Sequence, residues 1–127
     1  MSAYAEAKRL MISNWTPLTL GKAYPTCAVC GKPIRRNPAC HHAILSQRWG
    51  WSAHLQWNLA PVHQEPEGDC HLRAHGDMHD AIIRTIYLRV GKGDAHAGYE
   101  KIKAEIEANM KSPPALPYWD EEQVNVE

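Results

Sequence analysis

A small α+β domain held together by bound metal is what the 127 residues predict, and three observations carry that expectation. The length suffices for one modest core and little more. Apolar residues recur at helical spacing in two stretches, Ile82, Ile83, Ile86, Tyr87 and Val90, then Tyr99, Ile102, Ile106 and Met110. Eight histidines are many for this length, and Cys27-Ala28-Val29-Cys30 followed by Gly31 has the spacing of a zinc knuckle.

Taken in order, Ala3 to Ile12 can form a short helix with an apolar end at Leu10, Met11 and Ile12. Thr16 to Thr26 holds Pro17, Gly21 and Pro25 and reads as a connection. After the knuckle, Lys32 to Cys40 reads as a short strand, irregular or at an edge because Pro33 and Pro38 cannot donate to a ladder. Ala43 to Trp57 lacks periodicity and reads as a loop pinned by Trp49, Trp51 and Trp57, rings that are also able to stack on bases. Leu59 to His63 is a second short strand, and Gln64 to Asp69 a polar turn. Gly91 and Gly93 stop the first of the two long helices, and Ser112-Pro113-Pro114 stops the second. The tail from Pro114, rich in proline and then acidic, is expected to lack structure of its own. The chain thus divides into an N-terminal helix and connection (1–26), a core with the knuckle (27–93), and a C-terminal helix with its tail (94–127).

Net charge is zero, but its distribution is uneven. Up to Gly93 eleven Lys and Arg stand against six Asp and Glu, a net of +5, and from Asp94 onward three stand against eight, a net of −5. A basic body with an acidic tail is compatible with a polyanionic partner. No stretch approaches the roughly 20 apolar residues that span a bilayer, and Glu6, Lys8 and Arg9 interrupt the N-terminal segment. The expectation is a cytoplasmic protein without a membrane partner.

Three clusters follow one another: Cys27-x-x-Cys30, then Cys40-His41-His42-Ala43-Ile44, then Asn58-Leu59-Ala60-Pro61-Val62-His63 leading to Cys70-His71. Together they resemble the HNH endonuclease family of ββα-metal nucleases, in particular small phage-type members that carry a zinc knuckle. The resemblance covers roughly Cys27 to Gly76 and implies a ββα-metal core, with the flanking helices as additions. It also implies DNA as substrate, a phosphodiester hydrolase with low sequence specificity as activity, and phage DNA-packaging machinery as a partner, in the cytoplasm of the host.

By motif position the resemblance makes His41 a ligand of the catalytic ion and His42 the general base, with Asn58 bridging the loop between the strands and fixing the orientation of the base. His71 would be the second ligand, and His75, one helical turn on, is a candidate third. Adjacent residues of a strand point to opposite sides, so neighbours can serve different roles. The structural zinc would take Cys27, Cys30, His63 and Cys70, with Cys40 or an acidic residue of the loop as the alternative to His63. Asn58 and His71 stand farther apart here than in compact members, the extra residues falling in Gln64 to Asp69. His41 replaces the aspartate of many members, and imidazole there suits Zn²⁺, Ni²⁺, Mn²⁺ or Co²⁺ better than Mg²⁺. Arg35, Arg36, Arg48 and Arg73 are the candidate phosphate contacts. Cys40 reads as a small buried apolar residue, and His54, His79 and His96 as surface or capping residues. A non-catalytic zinc-binding module that contacts DNA or protein is the alternative function, a toxin with RNase activity a weaker third, and the oligomeric state is open.

Overall fold

The computed structural model describes residues 3–17 and 24–117, the side chain of Trp51 excepted. Two compact units divide the chain, residues 1–86 and 87–127. The division falls inside a helix rather than after Gly93, and the expected segment 1–26 lies within the first unit. No helix among the described residues is long and apolar enough to cross a membrane.

The first unit opens with helix α1, Ala3–Trp15, three residues longer than the apolar end of its sequence pattern suggests. Ala7 and Met11, one turn apart, bury their side chains with Leu59, and Ile12, Trp15 and Cys40 pack around them. Thr16 bonds back to the Ile12 carbonyl and Pro17 ends the helix. Two short antiparallel strands follow, β1 (Ala39–His42) and β2 (Leu59–Val62), with His42 opposite Leu59 and Ala39 opposite Val62. The expected strand from Lys32 therefore starts only at Ala39. Its first half is the arm of the knuckle, where Thr26 bridges Pro33, and prolines 33 and 38 keep it out of a ladder.

The segment between the strands is more regular than a loop. Gln47–His54 and Gln56–Asn58 are 3₁₀ turns, the first broken at Gly50, whose φ of 65° any side chain would resist. Short 3₁₀ turns leave no 3.6-residue stripe, which is why periodicity does not reveal them. Helix α2, Cys70–Ala74, then starts directly after the polar turn. In helix α3, His79–Val90, Ile82, Ile83 and Ile86 are buried.

In the second unit, Gly91 and Gly93 end α3 as the sequence predicts, and Asp94 caps α4 (Ala95–Asn109) by accepting from the Ala97 amide. Tyr87, Ile102 and Ile106 are fully buried, and the Tyr87 hydroxyl donates to the Pro117 carbonyl. Residues 113–117 carry no regular element, and 118–127 of the expected tail lie outside the described residues.

Candidate metal centres

The knuckle is built by backbone bonds that the sequence makes possible. The Cys27 amide donates to Lys32, the Gly31 amide returns to Cys27, and Gly31 adopts a φ of 77°. The Ala28 amide donates to the Pro61 carbonyl, which ties the knuckle to β2. His63 follows β2 directly, and Gln64 accepts from the Glu67 and Gly68 amides to close the turn. A Cβ on Gly68 would stand 3.3 Å from that of His63, so glycine lets the returning chain pass close to it. The turn thereby delivers Cys70 beside His63, and the extra residues between these two are absorbed without separating them. Glu67 anchors the far side, its carboxylate accepting from the Arg35 and Arg36 amides.

Cys27, Cys30, His63 and Cys70 consequently converge, all four donor atoms within 4.8 Å of one another. His63 Nδ1 lies 3.4 Å from Cys30 Sγ and 3.6 Å from Cys70 Sγ. Zn–S and Zn–N bonds of usual length in a tetrahedron separate sulfur from nitrogen by ~3.6 Å, so the cluster has the dimensions of a zinc site. His63 Nε2 lies 3.0 Å from the Pro33 carbonyl, an acceptor only. That contact puts the proton on Nε2 and leaves the Nδ1 lone pair facing the thiols. Burial pushes the Cys27 thiol up, but the backbone groups of Cys30, His63 and Val29 outweigh it and hold Cys27 below the usual thiol range. Cys70 is pushed up, by burial and then by its neighbouring thiols. All four cysteines are free, and this Cys₃His group can hold a structural metal ion such as zinc. Cys40 stands apart, packed partly buried on the α1–β2 core as expected.

The second cluster uses the alternation of β1. His41 points inward and is 1% exposed, while His42 faces a cleft of about 450 Å³ that His71, His75, Cys40, Ser46, Gln47 and Arg48 also line. His71 sits in the first turn of α2 and His75 at its C-terminal end, with Nε2 atoms 3.3 Å apart. His41 meets both edge-on, ring centroids 5.6 Å from His71 and 4.7 Å from His75. The donor nitrogens of the three lie within 4.8 Å of one another, and two imidazole nitrogens on one tetrahedral ion are ~3.3 Å apart. Both ring nitrogens of His41 are buried, and neither has a hydrogen-bond partner among the described residues. Burial, and then the neighbouring His75 and His71, drive its pKa down to about 3, so the ring is neutral with a lone pair to give. An imidazole buried without partners is unfavourable by about 1–3 kcal/mol per group unless something binds it, so the donor set fits a divalent ion.

His42 is held low by burial first and by His54 second, against a backbone bond to Cys40 that raises it. Its Nε2 lies 3.3 Å from His54 Nδ1. Asn58 is fully buried. Its Oδ1 accepts from the Ile44 and Leu45 amides, and its Nδ2 donates to the Leu45 and Ala53 carbonyls, at 2.7–2.8 Å. Its partners all lie between His42 and His54, two just past the one and one just before the other.

The four arginines separate. Arg48 lines the histidine cleft, its guanidinium 5.3 Å over the half-buried Trp49 ring. Arg35 and Arg36 flank the knuckle instead, and Arg73, on α2, pairs with Asp77 at 3.5 Å. His79 and His96 lie on the surface beside Asp80 and Glu100, as expected. His54 does not fit its expected surface role: it joins His42. Its place in an aperiodic segment twelve residues on left no spacing signal. Compared with protein-family models, curated proteins and solved structures, the chain matches none.

Proposed function

We propose that this chain is a divalent-metal-dependent endonuclease that hydrolyses phosphodiester bonds in DNA. The observation that carries the reading is His41. A neutral imidazole buried with both nitrogens unpartnered among the described residues, beside His71 and His75, is suited to ligate an ion, and its strand neighbour His42 opens into a cleft that His71 and His75 also line. A bound ion would polarise a phosphoryl oxygen and neutralise charge on the leaving oxygen. His42, kept neutral by its surroundings, accepts a proton from the attacking water. Arg48, at the cleft wall, supplies a fixed positive charge for the phosphate that flanks the scissile bond. Three imidazoles without a carboxylate favour Mn²⁺, Ni²⁺, Co²⁺ or Zn²⁺ over Mg²⁺.

Relaxation of supercoiled plasmid tests the reading, in EDTA and with each of these ions added back. Cleavage is expected with at least one ion and none in EDTA, and His42→Ala is expected to lower the rate by about 10²–10⁴-fold. A wild-type chain that leaves the plasmid intact with every ion refutes nuclease activity. The Cys₃His cluster alone is also what a zinc-stabilised DNA- or protein-binding module would carry, and that outcome would favour it.

A further inference from the structure

We propose that His54 is a positioning residue for His42, acting through a ring-to-ring contact that Asn58 and Tyr4 hold in place. The proposal rests on the nuclease reading for its catalytic consequence and on geometry alone for the contact. Three elements meet at His42. β1 supplies the ring itself, the 3₁₀ turn after Gly50 supplies His54, and α1 supplies Tyr4. The His42 and His54 nitrogens are 3.3 Å apart. Tyr4 stacks on His42 with the planes 13° apart, centroids 6.3 Å, and tilts over His54 at 5.2 Å. Its hydroxyl lies near the Cys40 thiol, which sets the covering ring beside β1.

Asn58 sets the spacing. One side of its amide grips Ile44 and Leu45, just past His42, and the other grips Ala53, the residue before His54. A fully buried side chain therefore fixes the backbone distance between the two histidines. With Tyr4 over its face and His54 at its edge, the His42 ring is held on two sides. A base whose ring cannot turn meets its proton donor without losing rotational freedom in the transition state. The pair lacks a third metal donor among the described residues, since the histidine cluster that can hold an ion is His41, His71 and His75.

The test uses the full metal-loaded chain, with His54→Ala and His54→Asn, an amide able to replace Nδ1. His54→Ala is expected to lower kcat for plasmid nicking about tenfold with KM little changed, and His54→Asn to recover most of the loss. The ¹⁵N shifts of the His42 ring are expected to move in His54→Ala and return towards wild type in His54→Asn. Wild-type kcat in His54→Ala, or an Asn variant as slow as the Ala variant, overturns the proposal. If the wild-type chain does not cut DNA at all, the nuclease reading falls, and the ring shifts still decide the contact: an unchanged His42 signal in His54→Ala overturns it.

Discussion

At the scale of one residue, burial without a partner makes the stability of the fold at His41 depend on pH. Its folded-state pKa of about 3 lies below the usual histidine value near 6.5, so between these limits the unfolded chain holds more protons than the folded one. Stability of the metal-free chain therefore rises with pH across that window and falls as the solution is acidified from pH 6.5 towards 3. His42 and His71 are shifted in the same direction and steepen the loss. His41→Leu removes the buried unpartnered nitrogens. Thermal melts in EDTA are expected to show it more stable than wild type by about 1–3 kcal/mol, with a weaker pH dependence and no stabilisation by ions in the cleft. A less stable apo variant would mean that His41 finds a partner without metal. The grouping of His41 with His71 and His75 was legible in the sequence because a motif at fixed spacing names all but His75, which follows one helical turn on. His54 was not, since its partnership is made by a turn, and a contact across twelve residues of aperiodic chain leaves no mark in composition or period.

Among the elements, the inter-strand segment depends most on one side chain. Asn58→Ala strips four hydrogen bonds from buried or half-buried backbone, and differential melting is expected to show a loss of about 3 kcal/mol or more. A loss below 1 kcal/mol would show that water replaces the clamp. In the second unit Gly98 of α4 lies against Tyr87 of α3, where a Cβ would stand 1.8 Å from the Tyr87 carbonyl oxygen. Gly98→Ala must part the two helices, and hydrogen exchange of the amides between Tyr87 and Leu116 is expected to accelerate, for a loss of about 3 kcal/mol. The long helices and β2 follow from apolar spacing, and α1 and both glycine stops were likewise readable. The late start of β1 was not, because prolines mark where a ladder is impossible but not where it begins.

At the scale of the molecule, metal is expected to decide whether the first unit folds. Cys27→Ser removes a ligand from a Cys₃His group whose donors reach from the knuckle to α2, so circular dichroism should show it unfolded, or melting many degrees lower, with one fewer bound ion by elemental analysis. His42→Ala should stay folded and melt much closer to wild type than Cys27→Ser does. Equal losses in the two variants would abolish the division into a structural and a catalytic cluster. Both ligand sets were legible as residue types, but only the fold shows that the turn from Gln64 to Asp69 closes on itself and leaves His63 in place. That turn ends where Cys70 and His71 stand side by side, one donating to each cluster. If both groups take ions, ligands that are neighbours on a five-residue helix would couple the two sites. Ordering of that helix by the first ion would favour the second, repulsion between the two charges would oppose it, and by reciprocity each affinity would change by the same factor when the other site is filled. The occupancy of the knuckle would then shift the ion concentration at which the cleft fills, making the cleft responsive to an ion held elsewhere.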